Sequence, residues 1–288
     1  MTSCTNSRHR CFYFCFLCTQ HLASSREGPY LGSIVEERLG APERSRGEPL
    51  VTPSRDEILP SGTGLWEEGS TLTIQGSTLK TWSYKSTAVD RVHVSLRTEG
   101  RPLDADVELW QGPDNTPCKM RVYVENGAKR PFNALVETPR GPNTLAVRNI
   151  GQMEFPLDAS VSNEVRIRPD DVETAGSQIV QGGALKTYPF ESNVDSVQVL
   201  LKTDGRPLTA RIELLQGPNN NKQIVELYTE DGLERPFFMV IDTPGSGNVV
   251  RVVNTSPVEF PMTAWVDPYS IDYDSSDTDV VLGGDKDW

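Results

Sequence analysis

The sequence predicts an all-β fold of two tandem, homologous antiparallel β-sandwich-like domains with a pseudo-two-fold relation, flanked by flexible extensions. The first observation behind this prediction is an internal repeat, in which Gly100–Leu103 matches Gly205–Leu208 at an offset of 105 residues. The match continues without a gap for about 60 positions, which makes a duplicated structural unit the simplest explanation. The matched turn motifs are Gln111-Gly112-Pro113 with Gln216-Gly217-Pro218, Arg130-Pro131-Phe132 with Arg235-Pro236-Phe237, Thr138-Pro139 with Thr243-Pro244, and Glu154-Phe155-Pro156 with Glu259-Phe260-Pro261.

The second observation is a period of two in the apolar residues. The segment Val92–Leu96 places three apolar side chains on one face, and Val197–Leu201 repeats the pattern in the second copy. Such alternation is typical of a β-strand with one buried face. Turn signals recur roughly every 8–12 residues, which predicts about seven short strands per repeat and a sandwich or jelly-roll-like unit.

The remaining segments differ from the repeats in composition. The first 27 residues begin with a basic cluster followed by the apolar run Cys11–Cys18, as in a targeting segment. The next segment mixes charge, Pro and Gly without a period, which indicates a flexible arm. The predicted division is 1–27 targeting segment, 28–70 flexible arm, 71–162 first β repeat, 163–178 linker, 179–268 second β repeat and 269–288 acidic tail.

The charge balance argues against nucleic-acid binding. The formal net charge is −12, whereas a nucleic-acid-binding chain needs a positive surface. Residues 80–160 carry eleven basic and ten acidic side chains, and residues 185–265 carry seven and ten. Copies of opposite net charge can attract each other head to tail between molecules, although drift after duplication also explains the difference. The sequence contains no run of 18 apolar residues, so we expect no transmembrane helix.

The repeated polar residues do not form a catalytic set. His93 has Gln198 at its place in the second copy, so neither a His base nor a His–nucleophile pair is repeated. Glu108 and Glu154 could form a carboxylate pair of the glycosidase kind, but Arg–Glu pairing at a turn is the simpler interpretation. We therefore expect no enzyme activity, no cofactor and no metal site.

The near-identity of the repeated turns favours a role in assembly. Turns needed only to reverse the chain tolerate more variation than these do, and equivalent surfaces on two halves of a molecule suit symmetric or propagating contacts. An aromatic residue at the end of the acidic tail suggests an anchor that docks on a neighbour. The predicted assembly contacts are Arg101, Arg206, Arg130, Arg235, Gln111, Gln216, Tyr273 and Trp288.

Residues 71–268 resemble the pyrenoid shell proteins of diatoms and related algae with secondary plastids. The stretches that carry the resemblance, together with their second copies, are Leu79-Lys80-Thr81-Trp82, Val107–Pro113, Arg130-Pro131-Phe132-Asn133 and Glu154-Phe155-Pro156. The resemblance implies a structural protein of the chloroplast pyrenoid that forms a two-dimensional homo-oligomeric lattice around Rubisco. Such a shell would shape the pyrenoid and limit the leakage of CO2, with Rubisco or pyrenoid matrix proteins as partners.

A second function remains open from the residues alone. Paired β-sandwiches also serve as non-catalytic binding modules for glycan or protein ligands. In that case Trp82, Tyr188 and Trp110 would form a stacking platform, whereas aromatics in a sandwich are more often part of the core. Leu215 replaces Trp110 in the second copy, which weakens the platform interpretation.

Overall fold

The computed structural model describes residues 71–164, 167, 169, 172, 176–218 and 220–272 of the chain. All of these residues belong to one unit, Ile58–Trp288. The predicted targeting segment, the predicted arm and residues 273–288 of the predicted tail, which include Tyr273 and Trp288, lie outside the described residues.

The described residues form sixteen β-strands, eight from each repeat, and the all-β prediction is confirmed. Each repeat has one strand more than the seven or so predicted, and its opening strand is short, with four residues in the first repeat and three in the second. The strands are β1 (Thr71–Ile74), β2 (Leu79–Tyr84), β3 (Arg91–Arg97), β4 (Leu103–Gln111), β5 (Asn115–Val124), β6 (Phe132–Glu137), β7 (Asn143–Asn149), β8 (Leu157–Ser162), β9 (Gln178–Val180), β10 (Leu185–Pro189), β11 (Val194–Lys202), β12 (Leu208–Gln216), β13 (Asn221–Thr229), β14 (Phe237–Asp242), β15 (Asn248–Asn254) and β16 (Met262–Ile271).

The strands form two antiparallel sheets, each with four strands from each repeat. Sheet A has the order β1-β8-β3-β6-β14-β11-β16-β9, and sheet B has the order β10-β15-β12-β13-β5-β4-β7-β2. Both sheets therefore run from one repeat into the other, through the pairing of β6 with β14 and of β5 with β13. We call this double pairing the joint.

The register at the joint places the pseudo-two-fold axis. In sheet A, Ala134 lies opposite Met239, its own equivalent in the second repeat. In sheet B, Arg121 lies opposite its own equivalent, Glu226. A residue that pairs with its own copy marks a two-fold relation, as in an isologous dimer interface. The two repeats thus resemble two subunits of a symmetric dimer joined into one chain.

The core lies between the two sheets and follows from the alternation of apolar residues. In β4, Leu103, Ala105, Val107 and Leu109 are buried, and the residues between them are partly exposed. The strand β12 repeats this pattern along its first half. Burying each large apolar side chain contributes about 1.5–3 kcal/mol, so the cooperative stability of the sandwich comes mainly from this layer.

Two described residues between the repeats, Ile167 and Val172, cover part of the outer face of sheet A. Ile167 and Val172 are fully buried, at 0% and 1% exposure, although the sequence around them is charged. They pack in a second apolar cluster with side chains from the joint strands and their neighbours, including Leu135, Leu200 and Phe238. We call the pair Ile167 and Val172 the strap. It explains why β6 and β14 are buried on both faces.

The two ends of the sandwich are equivalent to each other. Among the described strands, β1 and β2 are outermost at one end, and β9 and β10 are outermost at the other. The edges of sheet B carry exposed lysines at the equivalent positions Lys80 and Lys186, a common protection against uncontrolled edge pairing. The edge strands of sheet A carry no charge and expose Leu72 and Ile179. Within the described part of the chain, no helix is long and apolar enough to cross a membrane.

Candidate assembly surfaces

Four of the predicted contact residues meet in pairs across the joint. The Nη2 of Arg130 donates to Oε1 of Gln216 at 2.8 Å, and the Nη2 of Arg235 donates to Oε1 of Gln111 at 3.2 Å. Both arginines are almost fully buried, at 4% and 5% exposure. In each pair the arginine comes from one repeat and the glutamine from the other. The repeated Arg-Pro-Phe and Gln-Gly-Pro motifs therefore hold the two repeats together within the chain.

The Thr-Pro turn is the third member of each pairing. The amide nitrogen of Gln111 donates to the carbonyl oxygens of Pro139 and Arg140, at 3.2 and 3.0 Å. The amide nitrogen of Gln216 does the same to Pro244 and Ser246, at 3.1 and 3.3 Å. A glutamine with both ends satisfied presents its oxygen to the arginine in a fixed orientation. That these arginines and glutamines also meet a neighbouring molecule stays a prediction.

Carboxylates near the buried arginine keep its environment polar. Burial lowers the pKa of Arg130, and the nearby carboxylates of Glu125 and Asp242 oppose that shift. At the other pair, the Nη1 of Arg235 lies 3.2 Å from Oε2 of Glu234. A buried guanidinium costs much less when carboxylates and hydrogen-bond acceptors surround it, so these groups allow the joint to contain charge.

Arg101 and Arg206 lie at exposed turns and contact the Glu-Phe-Pro motifs. The guanidinium of Arg101 lies 5.3 Å from the ring centre of Phe155 and donates to the backbone oxygen of Glu154 at 3.0 Å. Arg206 repeats both contacts, at 5.5 Å from Phe260 and 2.7 Å from the backbone oxygen of Glu259. Stacking on the ring leaves part of each guanidinium open to solvent. A further contact with another molecule stays a prediction here too.

Other repeated polar residues also have structural partners. The Nδ2 of Asn149 donates to the backbone oxygens of Ile74 and Phe155, at 3.0 and 2.8 Å, and Asn254 makes the equivalent bonds in the second repeat. These bonds tie the outermost strand of sheet A to the Glu-Phe-Pro turn. The carboxylate of Glu108 accepts a hydrogen bond from the indole nitrogen of Trp110 at 2.8 Å. This contact favours a structural role for Glu108 over membership of a carboxylate pair.

Two equivalent pockets flank the joint, one at each Arg–Gln pair. The first, the basic pocket, has a volume of about 790 Å³ and surrounds Arg130 and Gln216; its rim includes Glu125, Ala128, Lys129 and Lys222. The second, the acidic pocket, has a volume of about 650 Å³ and surrounds Arg235 and Gln111; its rim includes Arg140, Glu230, Asp231 and Glu234. The pockets have equivalent positions because the pseudo-two-fold axis relates them.

The two pockets differ in charge. Three cations and one carboxylate line the basic pocket, giving a formal balance of +2. Three carboxylates and two cations line the acidic pocket, giving −1. The sequence shows a charge difference between the repeats, and part of that difference lies at these two equivalent pockets. Arg140, which pairs with Glu234 across the joint, has a backbone φ of 54°, whereas the second repeat has Gly245 at this place.

The comparisons with known proteins identify the family. A family model described as diatom pyrenoid shell protein matches residues 66–268. The chain belongs to the diatom pyrenoid shell protein family. The resemblance found in the sequence is therefore confirmed, and membership implies a structural protein of the chloroplast pyrenoid. No curated protein matches the chain.

One solved structure to which this shell protein is similar is the PBSX exported protein XepA. The identity is 13% and the TM-score is 0.23, over 68% of this chain and 84% of that chain. A likeness at this level carries no conclusion about fold or function.

Sequence reasoning found the residues at the joint of the shell protein but not their arrangement. Arg130, Arg235, Gln111 and Gln216 all stand out because they repeat within turn motifs. Nothing in the spacing shows that each arginine bonds to the glutamine of the opposite repeat. Within the described residues, no group of three or more His, Cys, Asp or Glu side chains could hold a metal ion.

Proposed function

We propose that the chain self-assembles into a sheet-like shell around the Rubisco-containing pyrenoid, and that this shell shapes the pyrenoid and limits CO2 leakage. Family membership supports the location and the structural role. The proposed partners are further copies of the chain, in a two-dimensional lattice, and Rubisco or pyrenoid matrix proteins on one face. The role needs no catalysis and no cofactor.

The joint is the observation that best supports the proposal of self-assembly. It shows that this β-module already contacts a copy of itself through both sheets and two Arg–Gln pairs. The molecule also has equivalent outer ends, where β1 and β9 are uncharged edge strands. Contacts that repeat without closing generate filaments or sheets, and a molecule with two equivalent ends can form them in both directions.

The predicted contact residues fall into three groups in this proposal. Arg101 and Arg206 lie at exposed turns, where they can meet a neighbour without rearrangement. Tyr273 and Trp288 belong to the predicted acidic tail, which we propose docks on an adjacent molecule. Arg130 and Arg235 line the pockets of the joint. They would reach a neighbour only through a side chain that enters a pocket.

No observation favours the alternative function as a glycan- or protein-binding module. Trp82 and Tyr188 pack against the main core cluster, as the core interpretation predicts. Trp110 is tied to Glu108 through its indole nitrogen. These three aromatics therefore have structural contacts that compete with a role as a stacking platform.

The proposal is tested by the assembly state of the purified full chain. We expect sheets or tubes in negative-stain electron microscopy and a large sedimenting species in the ultracentrifuge. The species should vary with salt, because surface charges contribute to the contacts. A chain that stays monomeric over a wide range of salt and protein concentrations would contradict self-assembly.

The location and the barrier function need measurements in cells. A fluorescent fusion of the full chain is expected at the rim of the pyrenoid and not throughout the stroma. Depleting the protein is expected to deform the pyrenoid and to raise the external CO2 concentration that growth requires. Normal growth at low CO2 after complete depletion would contradict the leakage barrier while leaving a structural role intact.

A further inference from the structure

The two loops that form the rims of the pockets share one backbone arrangement. In the first repeat, Oδ1 of Asn126 accepts the backbone N–H groups of Ala128 and Lys129, both at 3.1 Å. In the second repeat, Oδ1 of Asp231 accepts those of Leu233 and Glu234, at 2.9 and 3.0 Å. The loops are thus held in the same shape. Differences in what they present to solvent come from their side chains.

The side chains at the two loop tips differ in size. The second repeat has Leu233, which is 62% exposed, at the place where the first repeat has Ala128. A single exposed leucine is common on a protein surface, so Leu233 is a candidate for burial against a partner only together with the charges around it. The basic pocket, which Ala128 lines, is also the larger of the two. The loop beside the acidic pocket therefore carries an apolar projection, and the loop of the basic pocket carries a small residue beside a larger concavity.

The charges around the projection and the concavity are complementary. Glu230 and Glu234 flank Leu233, and Lys129 and Lys222 lie on the rim of the basic pocket. Glu234 is engaged with Arg140, and Nζ of Lys222 lies 2.6 Å from Oε2 of Glu125. The exposed charges Glu230 and Lys129 are therefore the best placed to interact with a second molecule. Opposite charges on facing surfaces steer association and fix its direction.

We propose that the loop Glu230–Glu234 of one molecule inserts Leu233 into the basic pocket of a second copy, with Glu230 facing Lys129. This proposal rests on the proposed self-assembly and assigns it one contact surface. The contact is heterologous, because the projection and the pocket lie on different repeats. Every molecule then offers one of each, so the contact can repeat from copy to copy, and it generates a filament where its rotation does not close into a ring.

Two variants of the full chain test the two sides of this contact, the pocket and the projection, independently. Lys129→Glu reverses the charge of the pocket rim, and Glu230→Gln with Leu233→Ala removes the projection. We expect each variant alone to lose at least tenfold in self-association, measured by analytical ultracentrifugation. Their equimolar mixture should regain one contact per pair, because one intact projection and one intact pocket remain, and should therefore contain dimers that neither variant forms alone. Lys85→Glu, a matched charge change at an exposed loop position, should assemble as the wild type does.

The outcomes distinguish this contact from self-assembly in general. If the wild type forms sheets and both variants form the same sheets, the contact is wrong and the proposed function stands. If the mixture of variants stays monomeric although circular dichroism shows both to be folded, the head-to-tail arrangement is wrong. If deletion of 273–288 abolishes assembly while the projection variant assembles normally, the tail is the better candidate occupant of the basic pocket. A wild-type chain that remains monomeric overturns both proposals.

Discussion

Replacing Arg130 by Met tests whether the cross-repeat pairs stabilise the joint. The change keeps the apolar stem and removes the 2.8 Å hydrogen bond from the guanidinium to Gln216. A hydrogen bond to a charged group contributes about 1.5–3 kcal/mol, and Arg130 is 4% exposed, so solvent replaces little of it. We expect the free energy of unfolding to fall by about 2 kcal/mol, measured by urea unfolding followed through tryptophan fluorescence.

A double-mutant cycle separates this pair from the general cost of losing an arginine. Arg130→Met and Gln216→Leu, alone and combined, should show a coupling energy of about 1–2 kcal/mol because they remove the same bond. The matched control combines Arg130→Met with Gln111→Leu, since Gln111 bonds to Arg235 instead. That combination should be additive within about 0.5 kcal/mol. Equal coupling in both cycles, or none in the first, would refute the pairing across the joint.

Three further changes test other parts of the structure. Gly182→Ala places a methyl group about 1.7 Å from the backbone oxygen of Pro257 and should cost about 1–3 kcal/mol in a thermal melt, whereas Gly176→Ala, with open space around it, should change little. Burial raises the pKa of Cys118 to about 12, so the unfolded thiol ionises first and folding stability should fall as the pH rises from about 9 toward 12. Cys118→Val should remove that part of the pH dependence in urea melts, and an unchanged slope would contradict a buried thiol. Ile167→Ala should cost about 2–4 kcal/mol if the strap seals sheet A, and a change within about 0.5 kcal/mol would show that it does not.

The local features of the fold follow from the sequence because they depend on short-range patterns. Alternation in Val92–Leu96 and in its copy predicts strands at these places, and the repeat predicts the pseudo-two-fold relation. The expectation of a single buried face is wrong for Val92–Leu96, because His93 and Ser95 are buried as well, at 4% and 2% exposure. The burial of the strap does not follow from a short-range pattern. Ile167 and Val172 are two apolar residues in a charged stretch with no period, so only the surface that they cover explains their burial.

The joint could not be read from the sequence because strand order is a long-range property. The residues that pair in β6 and β14 lie about 100 positions apart, and the same is true in β5 and β13. Two separate sandwiches with identical cores would show the same alternation. The shared sheets are distinguished by contacts such as Arg130 with Gln216, in which two individually unremarkable turn residues combine only after folding.

The features that the two repeats share and the features in which they differ point to different roles. The Arg–Gln pairs and the Arg–Phe stacks are the same in both copies, and all of them are contacts within one chain. The loops beside the two pockets make the same backbone contacts but differ in side chains, as Ala128 and Leu233 show. At Arg140 the first repeat accepts a left-handed backbone that costs a non-glycine residue about 1–2 kcal/mol, and it gains a partner for Glu234 across the joint. The contacts inside the molecule are therefore symmetric, whereas the loops beside the pockets are not. Such a combination allows a chain to be stable alone and still to bind its copies in one direction.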